Sequence, residues 1–190
     1  MSKRSETTQD IAALAEMFEQ RVEEGWSVFL LSFMFRPLGG CCNARLTLMR
    51  AEVERVYYRL QKRVVRYRRS SSTCVPIFIG APDLTPGSAE KLIIEGEHHD
   101  GLHSHVATLI PPAPRYEKRD GTLAAHIEAQ IAGYVPRGGI LLRLHCQPFT
   151  QTYGNAVKYA LKGLYRFGRD ELIILPENYR NQRGNNGAGA

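Results

Sequence analysis

The chain has 190 residues, 43% hydrophobic and 23% charged, values that fit one globular domain with its own core. Twenty-five Lys and Arg against 19 Asp and Glu leave a formal net charge of +6, a moderate excess that favours a polyanionic partner without requiring one. The longest apolar run, WSVFLLSFMF at 26–35, is about half a membrane span, and the four cysteines (Cys41, Cys42, Cys74, Cys146) contain no C-x-x-C pair, which argues against a transmembrane helix, a zinc ribbon and a disulfide framework.

MSKRSETTQD has no signal-peptide apolar segment, so a soluble protein of a reducing cytoplasm with no membrane partner is expected. A helix starts with Asp10 as N-cap and carries Ile11, Leu14, Met17, Phe18 and Val22 at helical spacing until Gly25 ends it. Residues 1–25 thus form a docking helical segment, 26–177 the domain and 178–190 a disordered tail. SVFLLSFMFR at 27–36 reads as a central strand stopped by Pro37. Residues 44–67 form a long helix whose stripe of Leu46, Met49, Val53, Val56, Tyr57, Leu60 and Val64 packs on a sheet. Its other face is basic, and Arg59, Lys62, Arg63 and Arg66 are candidates to contact a phosphate backbone. VPIFIGAP at 75–82 is a short strand closed by Pro82.

KLIIEGEHHDGLHSHVATLI at 91–110 reads as two strands around an Asp100-Gly101 turn, holding four of the six histidines. His103 and His105 are two apart and share a strand face. With a carboxylate opposite they make a divalent-metal site. A two-residue turn pairs His98 with His103; a three-residue loop puts Glu97 across from His103 and Glu95 across from His105. The third ligand is therefore Glu95, Glu97 or His98.

PPAPRYEKRDG at 111–121 is a charged connection. Residues 122–134 are helical, 140–146 a strand, 150–164 a helix, and LIILP at 172–176 a last apolar run. Strands compatible with hairpins, interspersed with long helices, imply an α+β fold: a mainly antiparallel sheet of about five strands flanked by helices. On the late helix, Tyr159 and Lys162 are three apart and share a face, with Lys158 flanking. A tyrosine with cations near its hydroxyl is suited to attack phosphorus. Tyr153 lies six residues earlier, on another face.

Three stretches together resemble the HUH endonucleases, the nicking enzymes of rolling-circle replication initiators, relaxases and some transposases. VFLLSFMFRP is similar to their first, hydrophobic strand motif. EGEHHDGLHSHVATLIP resembles the metal motif, an upstream Glu followed by His-x-His. AVKYALKG resembles the nucleophile motif, Tyr-x-x-Lys on a helix. The stretches occur in family order across residues 26–165. The residue between the histidines, bulky and hydrophobic in the family, is Ser104 here.

The resemblance implies Mg²⁺ or Mn²⁺ held by His103, His105 and Glu95, which sits at the family's usual distance upstream, with Glu97 the alternative. It implies attack by Tyr159 that leaves a 5′-phosphotyrosine and a free 3′-OH, assisted by Lys162. It also implies single-stranded or origin-hairpin DNA as partner, held by the basic helix, Lys158, Arg115, Lys118 and Arg119. The chain carries no P-loop, so a separate helicase would unwind the duplex, in a prokaryotic cytoplasm. A non-catalytic nucleic-acid binder on a similar fold and a His/Glu metallohydrolase using water are the competing expectations.

Overall fold

The computed structural model describes residues 3–65, 75–84, 93–94, 97–98, 101–150 and 152–177. Its elements run α1 (Lys3–Glu23), β1 (Ser27–Phe35), α2 (Cys42–Val64), β2 (Ile77–Leu84), β3 (Ile93–Ile94), β4 (Glu97–His98), β5 (Leu102–Ile110), α3 (Glu117–Asp120), α4 (Leu123–Ala129), α5 (Ile131–Tyr134), β6 (Leu141–Pro148), α6 (Tyr153–Ala160), α7 (Leu164–Phe167) and β7 (Ile173–Leu175). Five strands form an antiparallel sheet in the order β6–β1–β5–β2–β7, and β3 pairs with β4 apart from it. The architecture is the expected α+β sheet flanked by helices.

β1 lies inside the sheet as expected, and β5 beside it is the middle strand, with every residue from Leu102 to Ile110 buried. A strand with that burial needs a long partner on each edge, and β1 and β2 supply them. The expected pairing of 95–98 with 103–105 is therefore replaced. His103 lies between Met34 and Asp83, His105 lies between Ser32 and Ala81, and His98 pairs with Ile93 in the small β3–β4 ladder. Residues 95 and 96, which join β3 to β4, lie outside the described residues.

Alternation along β5 separates two cores. One face meets α2, whose Leu46, Met49, Val53, Val56, Tyr57, Leu60 and Val64 are all buried as the stripe predicts, against Phe29, Leu31, Phe33, Phe35, Phe78 and Val106. Tyr57 meets Phe78 edge-on at 5.2 Å between ring centroids, an arrangement that contributes about 1 kcal/mol beyond area burial. The other face meets α1 and α6, where Ile11, Leu14, Phe18, Ala156, Val157 and Ala160 cover Leu30, Ile79 and Leu109.

Several boundaries differ from the sequence reading. α1 begins at Lys3, so Asp10 is interior rather than an N-cap, and its carboxylate pairs with Arg169 at 2.7 Å. β2 runs through Pro82 to Leu84. β7 covers β2 only from Phe78 to Gly80, so at Pro82 the strand is an edge, where a missing N–H breaks no ladder. The helix expected over 122–134 is broken at Gln130 (φ −118°, ψ 20°) into α4 and α5. That over 150–164 starts at Tyr153 and ends at Ala160, before the short α7. Among the described residues no helix is long and apolar enough to cross a membrane.

Candidate active site

At the His103 end of the sheet, on the α1–α6 face, Asp83, His103 and His105 present ligand atoms that all lie within 4.8 Å of one another. Ligands about 2.1 Å from a shared ion sit roughly 3–4 Å apart, so small side-chain rotations close the triad on a cation. The cluster could bind a metal ion, with two imidazoles, one carboxylate and further positions left to water or substrate.

Each ligand is oriented from behind. Gly101 turns into β5 at φ +82°, a conformation that favours glycine, and its carbonyl lies 3.0 Å from Nδ1 of His103. That carbonyl can only accept, so Nδ1 carries a proton, and Nε2 faces Asp83 Oδ2 at 3.5 Å. His105 Nδ1 lies 3.0 Å from Ser32 Oγ on β1, which leaves its Nε2 for a ligand. Burial, with His103 and Lys162 close by, drives the His105 pKa down from 6.5 to about 3 against the opposing pull of Asp83. The ring is therefore a neutral base, the form a metal requires. Burial pushes the Asp83 carboxyl up, but hydrogen bonds from Lys162 and the Leu84 amide, with the Lys162 and His103 charges, bring it below the usual carboxylate range.

α6 and the turn after it complete the cluster. The Tyr159 ring tilts against His105 with centroids 4.5 Å apart, and Lys162 Nζ lies 4.5 Å from the Tyr159 ring centroid and 2.8 Å from Asp83 Oδ2. Tyr159 is 44% exposed, so its ring has one side against the histidines and another open to solvent. The approach depends on Gly163: a Cβ there would overlap the Pro82 carbonyl, so only glycine lets this turn rest on β2 beside Asp83. Lys158 is exposed on the same helix.

His103, His105, Tyr159 and Lys162 thus come together from distant parts of the chain. Glu95, the favoured carboxylate, lies outside the described residues, as do His99 and Arg66. The backbone of Glu97 is in β4 opposite Ile94, and the cross-strand positions that it was expected to fill beside His103 belong to Met34 and Asp83. Ser104 points to the α2 face, fully buried, and among the described residues its Oγ has no hydrogen-bond partner.

The basic helix is elsewhere. α2 packs on the opposite face, and the Arg115 amide bonds to the Val64 carbonyl, which puts Lys62 and Arg63 near the far end of β5. Seven residues of β5 separate that end from His103, roughly 23 Å. Arg59 lies over the Tyr134 ring at 5.4 Å, and Arg119 is paired with Asp120 at 2.7 Å. The strand beside β1 supplies two different basic neighbours: Arg143 and His145 of β6 stand opposite Met34 and Ser32, exposed and on the site's own face.

Sequence reasoning missed Asp83, Ser32 and this β6 pair. Asp83 follows a proline that reads as a strand end, and Ser32 is one polar residue in an apolar strand. Only the register across β1, β5 and β2 joins them to the histidines. The chain matches no protein-family model, no curated protein and no solved structure.

Proposed function

We propose that the protein is a metal-dependent, HUH-type nicking endonuclease that acts on single-stranded or hairpin DNA and starts rolling-circle replication. The observation that carries this reading is the Tyr159 ring packed on His105, with Lys162 bridging Tyr159 and Asp83. A metallohydrolase using water would need the three ligands but no aromatic hydroxyl-bearing ring against them.

Asp83, His103 and His105 would hold the ion, and the mixed N/O donor set suits Mg²⁺ or Mn²⁺ with a phosphate as co-ligand. Bound there, the ion supplies positive charge to the non-bridging phosphate oxygens. The Tyr159 oxygen bonds to phosphorus as its proton is lost, the bond from phosphorus to the 3′ oxygen breaks, and that oxygen takes a proton to become a 3′-OH. Lys162 places a second positive charge beside the same phosphate, where charge develops in the transition state. His103 and His105 keep their Nε2 atoms aimed through their bonds to Gly101 and Ser32.

The test is incubation with labelled single-stranded oligonucleotides and Mn²⁺, followed by denaturing electrophoresis. A covalent protein–DNA adduct that disappears in Tyr159→Phe and Asp83→Asn is expected. Cleavage without an adduct would assign the site to water-based hydrolysis, and binding without cleavage over a broad oligonucleotide pool would leave a binding protein.

A further inference from the structure

Most hydrogen-bonding positions in the cluster are already committed. Asp83 Oδ1 accepts the Leu84 amide at 2.8 Å, His103 Nδ1 is held by the Gly101 carbonyl, and His105 Nδ1 by Ser32. The atoms that could meet on a cation are the two imidazole Nε2 atoms and Asp83 Oδ2. That oxygen already receives the Lys162 ammonium at 2.8 Å while facing His103 Nε2 at 3.5 Å. A divalent ion and an ammonium would therefore compete for the same carboxylate oxygen. Two such cations about 4 Å apart also repel each other, the more strongly where the surroundings are poor in water.

We propose that Lys162 is a built-in competitor of the divalent ion: its ammonium holds Asp83 in the metal-free protein, and loading the site requires its release toward the phosphate side of Tyr159. The competitor has room to leave. The Lys162 side chain is 43% exposed and ends a flexible four-carbon stem, while Gly163 fixes its backbone against β2. It also has somewhere to go, since Nζ already lies 4.5 Å from the Tyr159 ring centroid, where an incoming phosphate would place negative charge.

In the metal-free state the pairing answers a local problem. Asp83 is largely buried beside two imidazoles, and an unpaired carboxylate there is costly. The same ammonium thus stabilises the empty site and weakens its hold on metal. A lysine that acted only on DNA would leave metal affinity untouched.

This inference rests on the metal-centre part of the proposed function and not on DNA cleavage, so its test contains no DNA. Mn²⁺ is titrated into metal-free protein, and free ion is followed by its electron paramagnetic resonance signal. Lys162→Met should bind Mn²⁺ roughly threefold to tenfold tighter than wild type, the range that loss of a half-exposed ion pair supplies. Lys162→Arg, which keeps the charge, should stay near wild type. Asp83→Asn should lose binding with either residue at 162. Circular dichroism establishes that each variant is folded.

Equal or weaker binding by folded Lys162→Met overturns the proposal, as does wild-type affinity in Asp83→Asn or an absence of binding in both wild type and Lys162→Met. A protein that binds Mn²⁺ in this pattern yet forms no DNA adduct sinks the nicking reading alone. An adduct with unchanged affinity in Lys162→Met sinks this inference alone.

Discussion

Ser32 is the residue on which the orientation of His105 rests. The 3.0 Å contact between its Oγ and Nδ1 links β1 to a ligand on β5. Groups behind a ligating histidine typically govern metal affinity by 10–100-fold. Ser32→Ala should therefore weaken Mn²⁺ binding by at least about tenfold while costing only about 1–3 kcal/mol of stability from the unsatisfied buried nitrogen. Parallel metal titration and urea unfolding check this, and an unchanged affinity would reduce Ser32 to a packing residue. The histidines themselves were legible at this scale, because a two-residue spacing on an apolar strand defines one face. Asp83 was not. Nothing local to it differs from any Pro-Asp at a strand end, and its partnership with His103 exists only through the register of β2 against β5.

At the scale of elements, α2 and the turn after α6 show how differently position and pattern are encoded. The α2 stripe was readable because Leu46, Met49, Val53, Val56, Tyr57, Leu60 and Val64 repeat at helical spacing against one sheet face. What its arginines do was not readable, since periodicity says which face is polar and not what stands nearby. Arg59 lies over Tyr134, and Arg55 binds Glu52 and the Tyr134 carbonyl, whereas Lys62 is exposed. Arg59→Ala is expected to destabilise the fold by about 1 kcal/mol through the lost ring contact, and Lys62→Ala to change it by less than about 0.5 kcal/mol. Equal effects in chemical unfolding would mean that Arg59 is solvated like its neighbour. The turn after α6 depends on one missing side chain. Gly163→Ala forces a methyl into the Pro82 carbonyl, so the turn must lift from β2 and carry Lys162 away from Asp83. A loss of about 1–3 kcal/mol in unfolding free energy is expected, together with tighter Mn²⁺ binding per folded molecule if the ammonium leaves Oδ2. Wild-type stability in that variant would show that the turn tolerates a methyl.

Across the whole molecule, each face of the sheet covers a buried histidine whose pKa is lowered, and this sets how the protein responds to acid. On the site face, burial takes the His105 pKa from 6.5 to about 3. On the α2 face, His126 is fully buried, with Nδ1 2.5 Å from Asp120 Oδ2 and Nε2 3.0 Å from the Tyr134 hydroxyl. Burial lowers its pKa by more than the Asp120 contact raises it, consistent with an Nδ1–H donated to the carboxylate and an Nε2 accepting from Tyr134. Both groups thus have folded-state pKa values below the unfolded one. Between the two values the unfolded chain binds more protons, so stability rises with pH there, is complete above about pH 6.5, and falls as the medium is acidified toward the folded values. Asp83 has the same sign but a lower window, beginning only near the ordinary carboxylate value of 3.8. Urea unfolding in EDTA at pH 7.5, 6.5, 5.5 and 4.5 should therefore show no loss over the first step. The losses over the next two should approach about 1.4 kcal/mol per pH unit from His105, with a further loss of the same sign from His126. His105→Asn and His126→Gln should each flatten that slope, through independent cores on opposite faces. A flat profile down to pH 4.5 would mean that both rings take up protons in the folded state as readily as in the unfolded one, so that burial does not hold His105 neutral.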